Sequence, residues 1–131
     1  MKTAYGFGTT LAVPYEQALV RVKEALKTEG FGVLTEIDVR QTLREKLGVE
    51  MEAYMILGAC NPQLAHRALI QEPEVGLLLP CNVVVRAEGA NSRVDIADPQ
   101  AMLGIVDNER LDALASEAKQ RLQRALKVLE E

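Results

Sequence analysis

Hydrophobic periodicity changes repeatedly along the chain, from the alternation typical of strands to the three- and four-residue spacing of amphipathic helices. Residues 3–13 alternate, and the helical pattern that follows them ends at Gly30. Residues 31–37 and 53–59 are the next two strand patterns, and the latter is apolar enough for a central strand. Between them, Asp38 has the sequence context of a helix N-cap. The first half therefore alternates between strands and helices.

The second half predicts three further helices and a β-hairpin. In chain order these are a helix from Asn61, a strand over 75–88 interrupted at Pro80, a strand over 93–97, a short helix from Asp98 and a long amphipathic helix from Leu111. Because proline cannot donate a ladder hydrogen bond, we expect Pro80 to mark a bulge or an edge position. The predicted order is β-α-β-α-β-α-β-β-α-α. Its hairpin favours the α+β class, with a mixed or mainly antiparallel sheet covered by helices.

Length and composition fit one domain spanning residues 1–131. A chain of this size buries about two-thirds of its surface, which is enough for a core without metals or disulfides. The two cysteines are therefore expected to be reduced thiols. Together with an N-terminus that lacks a signal-peptide layout, this predicts a cytoplasmic location.

The charge pattern argues against several classes of partner. The net charge is −4, and the 15 basic residues are interspersed with 19 acidic ones, so no basic stripe is available for a nucleic acid. No apolar run is long enough to span a bilayer. Neither a dinucleotide-binding glycine fingerprint nor a phosphate-binding Walker loop is present. We expect no nucleic acid and no membrane as partners.

Two residues at the start of the third helix are candidates for chemistry. Cys60 ends the apolar strand directly before the helix that begins at Asn61, where the helix dipole favours a thiolate and lowers its pKa. That position suits a nucleophile, a redox thiol or a metal ligand, although a small buried hydrophobe also fits. His66, the only histidine, lies one turn after Pro62 and off the apolar stripe of the helix. It either points back toward Cys60 or faces solvent.

A second polar pair lies in the strand pattern that follows. Cys81 shares a predicted face with Leu77, Leu79 and Val83, so alternation favours a buried structural role. Asn82 points the other way and is a candidate for the lining of a cleft. A disulfide joining Cys81 to the other cysteine remains open, because bridging depends on a distance that the sequence does not give.

The carboxylates Glu36 and Asp38 share one face of the second strand, about 6.5 Å apart. Such a pair suits acid–base work or a bound cation. The alternative is that Asp38 only caps the next helix and Glu36 faces water. The set of Cys60, His66 and Cys81 lacks the tight spacing of a zinc site, so we predict no metal.

Four segments carry a family resemblance: residues 34–39, 56–66, 76–85 and 98–102. In these the chain resembles the family called domain of unknown function 302, most specifically in its Gly-Ala-Cys-Asn-Pro and Leu-Pro-Cys-Asn runs. The resemblance covers essentially the whole chain. It implies a bacterial or archaeal α+β domain with a TATA-binding-protein-like curved sheet under helices, and a homodimer. It carries over no catalytic or ligand-binding residue, and such a fold does not by itself imply DNA binding.

Two classes of function fit these residues. In the first, the chain is a non-enzymatic binding or interaction module, a homodimer in which a small molecule or peptide lies between sheet and helices. Its predicted polar contacts are Glu36, Asp38, Cys60, Asn61, His66, Cys81 and Asn82. In the second, Cys60 is the nucleophile of a thiol-based redox or transfer activity, with His66 as base and Cys81 as resolving thiol. The lack of a complete catalytic set favours the first, and no cofactor is specified.

Overall fold

The computed structural model, which describes residues 3–131, has a five-stranded antiparallel sheet with strand order β1-β5-β4-β3-β2. The strands are β1 (Gly6–Leu11), β2 (Gly32–Asp38), β3 (Tyr54–Cys60), β4 (Cys81–Glu88) and β5 (Asn91–Ala97). The helices are α1 (Tyr15–Thr28), α2 (Val39–Leu47), α3 (Pro62–Gln71), α4 (Pro99–Gly104) and α5 (Asp112–Glu130), with short 3-10 helices at Pro73–Leu78 and Glu109–Leu111. The predicted α+β class and the order of strands and α-helices are confirmed.

The core lies on one face of the sheet. The strand register aligns Phe7, Ile96, Val83 and Leu57 in one row across four strands, and all four are buried. Helices α1 and α5 pack their apolar stripes against this face and against each other. Complete burial of side chains of this size stabilises the fold by roughly 1.5–3 kcal/mol each.

Local signals at the helix ends act as the sequence predicts. Asp38 caps α2, because its Oδ1 accepts a hydrogen bond of 2.9 Å from the backbone N–H of Gln41. Gly48 ends that helix in the left-handed conformation, at φ 68°. Gly30, after α1, has φ 83°, and a Cβ there would stand 2.9 Å from Nδ2 of Asn61. This close approach joins the end of α1 to the start of α3.

A β-bulge in β2 overturns part of the predicted strand pattern. The register shifts between Val33 and Thr35, and an extra residue reverses which face the later side chains occupy. Phe31 is buried and Val33 packs against the core, as expected. Ile37 was predicted to share their face, but it lies opposite Ile56 on the other face and is 50% exposed.

The predicted strands over 3–13 and 75–88 are both too long. The first is limited to Gly6–Leu11, and Tyr5 before it is exposed. In the second, Pro73–Leu78 forms a 3-10 helix and the strand begins only at Cys81. Pro80, which follows a cis peptide bond, is neither a bulge nor an edge residue. It precedes an interior strand at a position where no ladder N–H is needed.

A buried ion pair fastens α4 to α5. Asp98 caps α4 through hydrogen bonds from the backbone N–H groups of Gln100 and Ala101, and its other oxygen lies 2.8 Å from Nζ of Lys119 on α5. The two side chains are 12% and 21% exposed. Burial opposes ionisation of Asp98, but the hydrogen bonds from Lys119, Gln100 and Ala101 outweigh it and lower the pKa of Asp98.

Replacing Asp98 with alanine removes both the cap and the ion pair. We expect Asp98→Ala to lower the free energy of unfolding by about 2 to 3 kcal/mol. The exposed pair of Arg44 and Glu50 supplies a control, because Glu50→Ala is expected to cost at most about 0.5 kcal/mol. Urea denaturation measures both. Equal effects of the two substitutions would show that the Asp98 pair does not fasten the helices.

The lowered pKa of Asp98 also sets a pH dependence. Stabilisation by this group is fully present above the unfolded-state pKa of about 3.9, and it is lost as the pH falls through the folded-state pKa. The stability advantage of wild type over Asp98→Asn is therefore expected to hold at about pH 6 and to shrink below about pH 4. Thermal unfolding across this range measures it. A constant advantage would contradict the assignment.

Candidate functional site

A cavity of about 210 Å³ lies at the end of the sheet where β3 stops and β4 starts. Helices α3, α4 and α5 and the 3-10 segment before β4 complete its wall. Its apolar lining includes Phe31, Leu64, Leu79, Met102, Leu103 and Leu114. The polar members of the lining are Cys60, Asn61, Cys81 and Asn82. The sequence therefore folds into a mainly apolar pocket with a few polar groups, the general composition of small-molecule sites.

The two cysteines meet at this cavity because of the register between β3 and β4. Cys81, the first residue of β4, is paired with Ala59, and Cys60 follows as the last residue of β3. Alternation places Cys81 on the core face and Cys60 on the opposite face. Both still border the same cavity, so it extends around the end of the sheet. Both are free thiols.

The two asparagines have different surroundings. Asn61 is buried and caps α3, since its Oδ1 accepts a hydrogen bond of 3.2 Å from the backbone N–H of Leu64. Asn82 is exposed and lies opposite Gly58 on the face away from the core. A Cβ at Gly58 would stand 2.8 Å from Cγ of Pro80, so the segment before β4 packs directly on the backbone of β3. The absence of a side chain at Gly58 allows Pro80 to pack there and to complete this side of the cavity.

Burial in the cavity disfavours the thiolate form of both cysteines. Burial raises the pKa of Cys60, and burial together with repulsion from Cys60 raises the pKa of Cys81 to about 11. We expected the start of α3 to lower the pKa of Cys60, whereas burial raises it. Neither thiol is activated as a thiolate in this environment.

Three of the predicted contact residues lie away from the cavity. His66 is exposed on α3 and is not part of the lining. Glu36 forms an ion pair of 3.0 Å with Lys23 of α1, and Asp38 caps α2. Within residues 3–131, no group of three or more His, Cys, Asp or Glu side chains is placed to hold a metal ion. The structure brings together the two cysteines and the two asparagines, and it leaves the carboxylates and the imidazole elsewhere.

Residues from the last two helices were missed as part of the site. Met102 and Leu103 of α4 and Leu114 and Ala118 of α5 line the cavity. In the sequence they look like ordinary members of the core-facing stripes of their helices. The Asp98-Pro99 cap that begins α4 was visible, but nothing local indicates that α4 lies beside the end of β3.

The sequence and the fold have known counterparts. The sequence profile of the domain of unknown function DUF302 matches residues 7–129. The chain belongs to the DUF302 family. The crystal structure of an uncharacterized conserved DUF302 protein from Bacillus stearothermophilus is similar to this DUF302 domain, with 31% sequence identity and a TM-score of 0.87. The similarity covers 95% of this chain and 98% of that chain.

No curated protein matches the sequence of this DUF302 domain. Across residues 3–131, no helix combines the length and apolar character needed to cross a membrane.

The raised thiol pKa values give a direct test of the cavity environment. In the Cys60→Ser variant Cys81 is the remaining cysteine, and burial alone still raises its pKa. We therefore expect alkylation by iodoacetamide at about pH 8 to be at least about ten-fold slower than for a free thiol. The rate is expected to keep rising above about pH 9, where a free thiol is already ionised. Mass spectrometry follows the reaction, and urea-unfolded protein serves as the control. Rapid alkylation of the folded variant near neutral pH would show that burial does not raise the pKa of Cys81.

Proposed function

We propose that this DUF302 domain is a non-enzymatic module that binds a small, mainly apolar molecule in the cavity at the end of β3. The observation that carries the proposal is the cavity itself, with apolar walls from three helices and four polar residues among its lining. Its volume of about 210 Å³ is below the usual range of roughly 300–1,000 Å³ for small-molecule pockets. The ligand is therefore small, of the size of an aromatic ring system or a short acyl chain.

The polar groups of the cavity indicate where the ligand's own polar group lies. The carbonyl oxygen of Asn61 already accepts the capping hydrogen bond from Leu64. The exposed amide of Asn82 is the group best placed to contact a polar end of the ligand near solvent. No charged side chain among residues 3–131 lines the cavity, and burying an unpaired charge is costly. These features support a neutral ligand, or one whose charge stays outside.

The thiol-based alternative has weaker support. A nucleophilic role for Cys60 requires a thiolate, whereas burial raises the pKa of both cavity thiols. The imidazole of His66, which would act as its base, is exposed on α3 outside the lining. In the binding proposal the thiols of Cys60 and Cys81 are polarisable contacts for the ligand, not reactants.

The proposal also covers the cellular location and the oligomeric state of the domain. Two free thiols in a fold that does not need a disulfide suit a reducing compartment, which supports a cytoplasmic location. We also propose a homodimer. A peptide partner is compatible with the same cavity if its apolar side chains enter it and its backbone stays outside.

Filling the cavity tests the binding proposal. Ala65 of α3 is half-buried in the lining, so Ala65→Leu places extra carbon atoms inside the cavity. We expect this variant to bind the fluorescent probe 1-anilinonaphthalene-8-sulfonate at least about ten-fold more weakly than wild type. The matched control is Ala113→Leu, the same change at an exposed position of α5 outside the lining. Fluorescence titration measures both, and circular dichroism checks the fold.

The Cys60→Ala variant separates the two classes of function. It removes the thiol and leaves the cavity open, so the proposal expects probe binding within about three-fold of wild type. Unchanged probe binding by Ala65→Leu would contradict the cavity as the binding site. Loss of binding in a folded Cys60→Ala variant would instead show that the thiol itself is required.

A further inference from the structure

A second hollow lies at the opposite end of the sheet from the cavity, where β3 begins and β4 ends. Its volume of about 620 Å³ is within the range of roughly 300–1,000 Å³ for small-molecule sites. We call it the charged cleft; its lining consists of residues 14–16, 40, 50–53, 87, 89 and 90. No residue among 3–131 lines both hollows, so the charged cleft is a separate candidate site.

The charged cleft contains a phenol that is available to a ligand. Tyr15, the first residue of α1, is half-buried and packs against the core. Its hydroxyl makes no hydrogen bond within residues 3–131. In the same range, no side-chain nitrogen or oxygen is both buried and without a partner, so this hydroxyl is accessible from the cleft. It can donate or accept a hydrogen bond.

Three of the four charged side chains in the lining are available as well. Glu50 is already engaged, because its carboxylate lies 3.1 Å from Nη2 of Arg44. The side chains of Glu16, Arg40 and Glu52 are exposed, and they form no hydrogen bond or ion pair within the described part of the chain, residues 3–131. The cleft therefore offers two free carboxylates and one free guanidinium.

Charges of both signs act on the Tyr15 hydroxyl. Burial raises the pKa of Tyr15, the carboxylates of Asp38, Glu16 and Glu36 raise it further, and the guanidinium of Arg40 opposes them. Asp38 and Glu36 are engaged in the helix cap and the ion pair described above. Of these groups, Glu16 and Arg40 remain for a ligand, and both lie close enough to the phenol to affect its ionisation.

We propose that the charged cleft binds a basic α-amino acid. Glu16 and Glu52 accept hydrogen bonds from its two cationic groups, the α-ammonium and the side-chain cation, and Arg40 donates hydrogen bonds to its carboxylate. Two anions and one cation of the protein thus meet two cations and one anion of the ligand. The ring of Tyr15 supplies an aromatic surface for a cation or for the aliphatic chain.

Other ligand classes fit the charged cleft less well. An inorganic phosphate would meet two free carboxylates and a single guanidinium, so repulsion would exceed attraction. A simple amine leaves Arg40 without a counter-charge. An apolar molecule, such as the one proposed for the cavity, would cover charged groups without pairing them. The inference goes beyond the binding proposal and does not depend on it.

An NMR titration with L-arginine at low ionic strength tests the proposal. We expect saturable shifts of the backbone amide signals of Ala53, Gly89 and Ala90 in the lining, with a dissociation constant on the order of 1 mM. Glu52→Gln is expected to weaken binding about three-fold. The matched control is Glu24→Gln, at an exposed position of α1 outside the lining, which is expected to leave binding unchanged. Absence of saturation by about 20 mM overturns the proposal.

Two analogues of arginine test the assignment of the charges. Agmatine lacks the carboxylate, and Nα-acetylarginine lacks the α-ammonium charge. We expect wild type to bind each about three-fold more weakly than arginine, and Arg40→Gln to lose the preference for arginine over agmatine. Equal binding of arginine and agmatine by wild type overturns the role of Arg40. Equal binding of arginine and Nα-acetylarginine would assign the cleft to the C-terminal residue of a peptide and overturn the amino-acid proposal.

The cavity variant keeps the two proposals distinguishable. Ala65→Leu changes only the lining of the cavity, so we expect it to bind arginine as wild type does. Loss of probe binding in this variant leaves the arginine titration unaffected, and absence of arginine binding by wild type leaves the cavity proposal standing.

Discussion

The buried row of Phe7, Ile96, Val83 and Leu57 fixes the register on which the rest of the molecule depends. Side chains alternate between the two faces of a sheet, so a slip of one residue would exchange the core set for the outer set. With this register, β4 begins at Cys81 beside Ala59. The cavity at the end of β3 and the outward position of Ile56 and Val84 are both consequences of the same pairing.

The sequence carries the order of the elements because the signals for it are local. Asp38 and Gly48 mark the two ends of α2, and Asn61 begins α3, each through a hydrogen bond or a backbone conformation within a few residues. The alternation of Val83 and Val85 in β4 and the helical spacing in α5 predict burial correctly. Features that depend on residues only a few positions apart can therefore be predicted from the sequence.

Features that depend on contacts between distant parts of the chain cannot be predicted from local sequence patterns. Leu77 alternates with the β4 residues, yet it belongs to a 3-10 helix and is 87% exposed, because Pro73 and Pro80 delimit a separate segment. The bulge in β2 turns Ile37 outward, and a single extra residue leaves no clear sequence signal. All four polar cavity residues were among the predicted contacts, but the raised pKa values of Cys60 and Cys81 depend on burial by walls from other helices.

The arrangement places a mainly apolar cavity at one end of the sheet, with the exposed Asn82 at its border. Nuclear Overhauser contacts between bound 1-anilinonaphthalene-8-sulfonate and protein methyl groups show whether the cavity takes a ligand. We expect contacts to Leu64, Met102 and Leu114 inside the cavity. Contacts confined to exposed side chains such as Ile70 and Ile105 would contradict it.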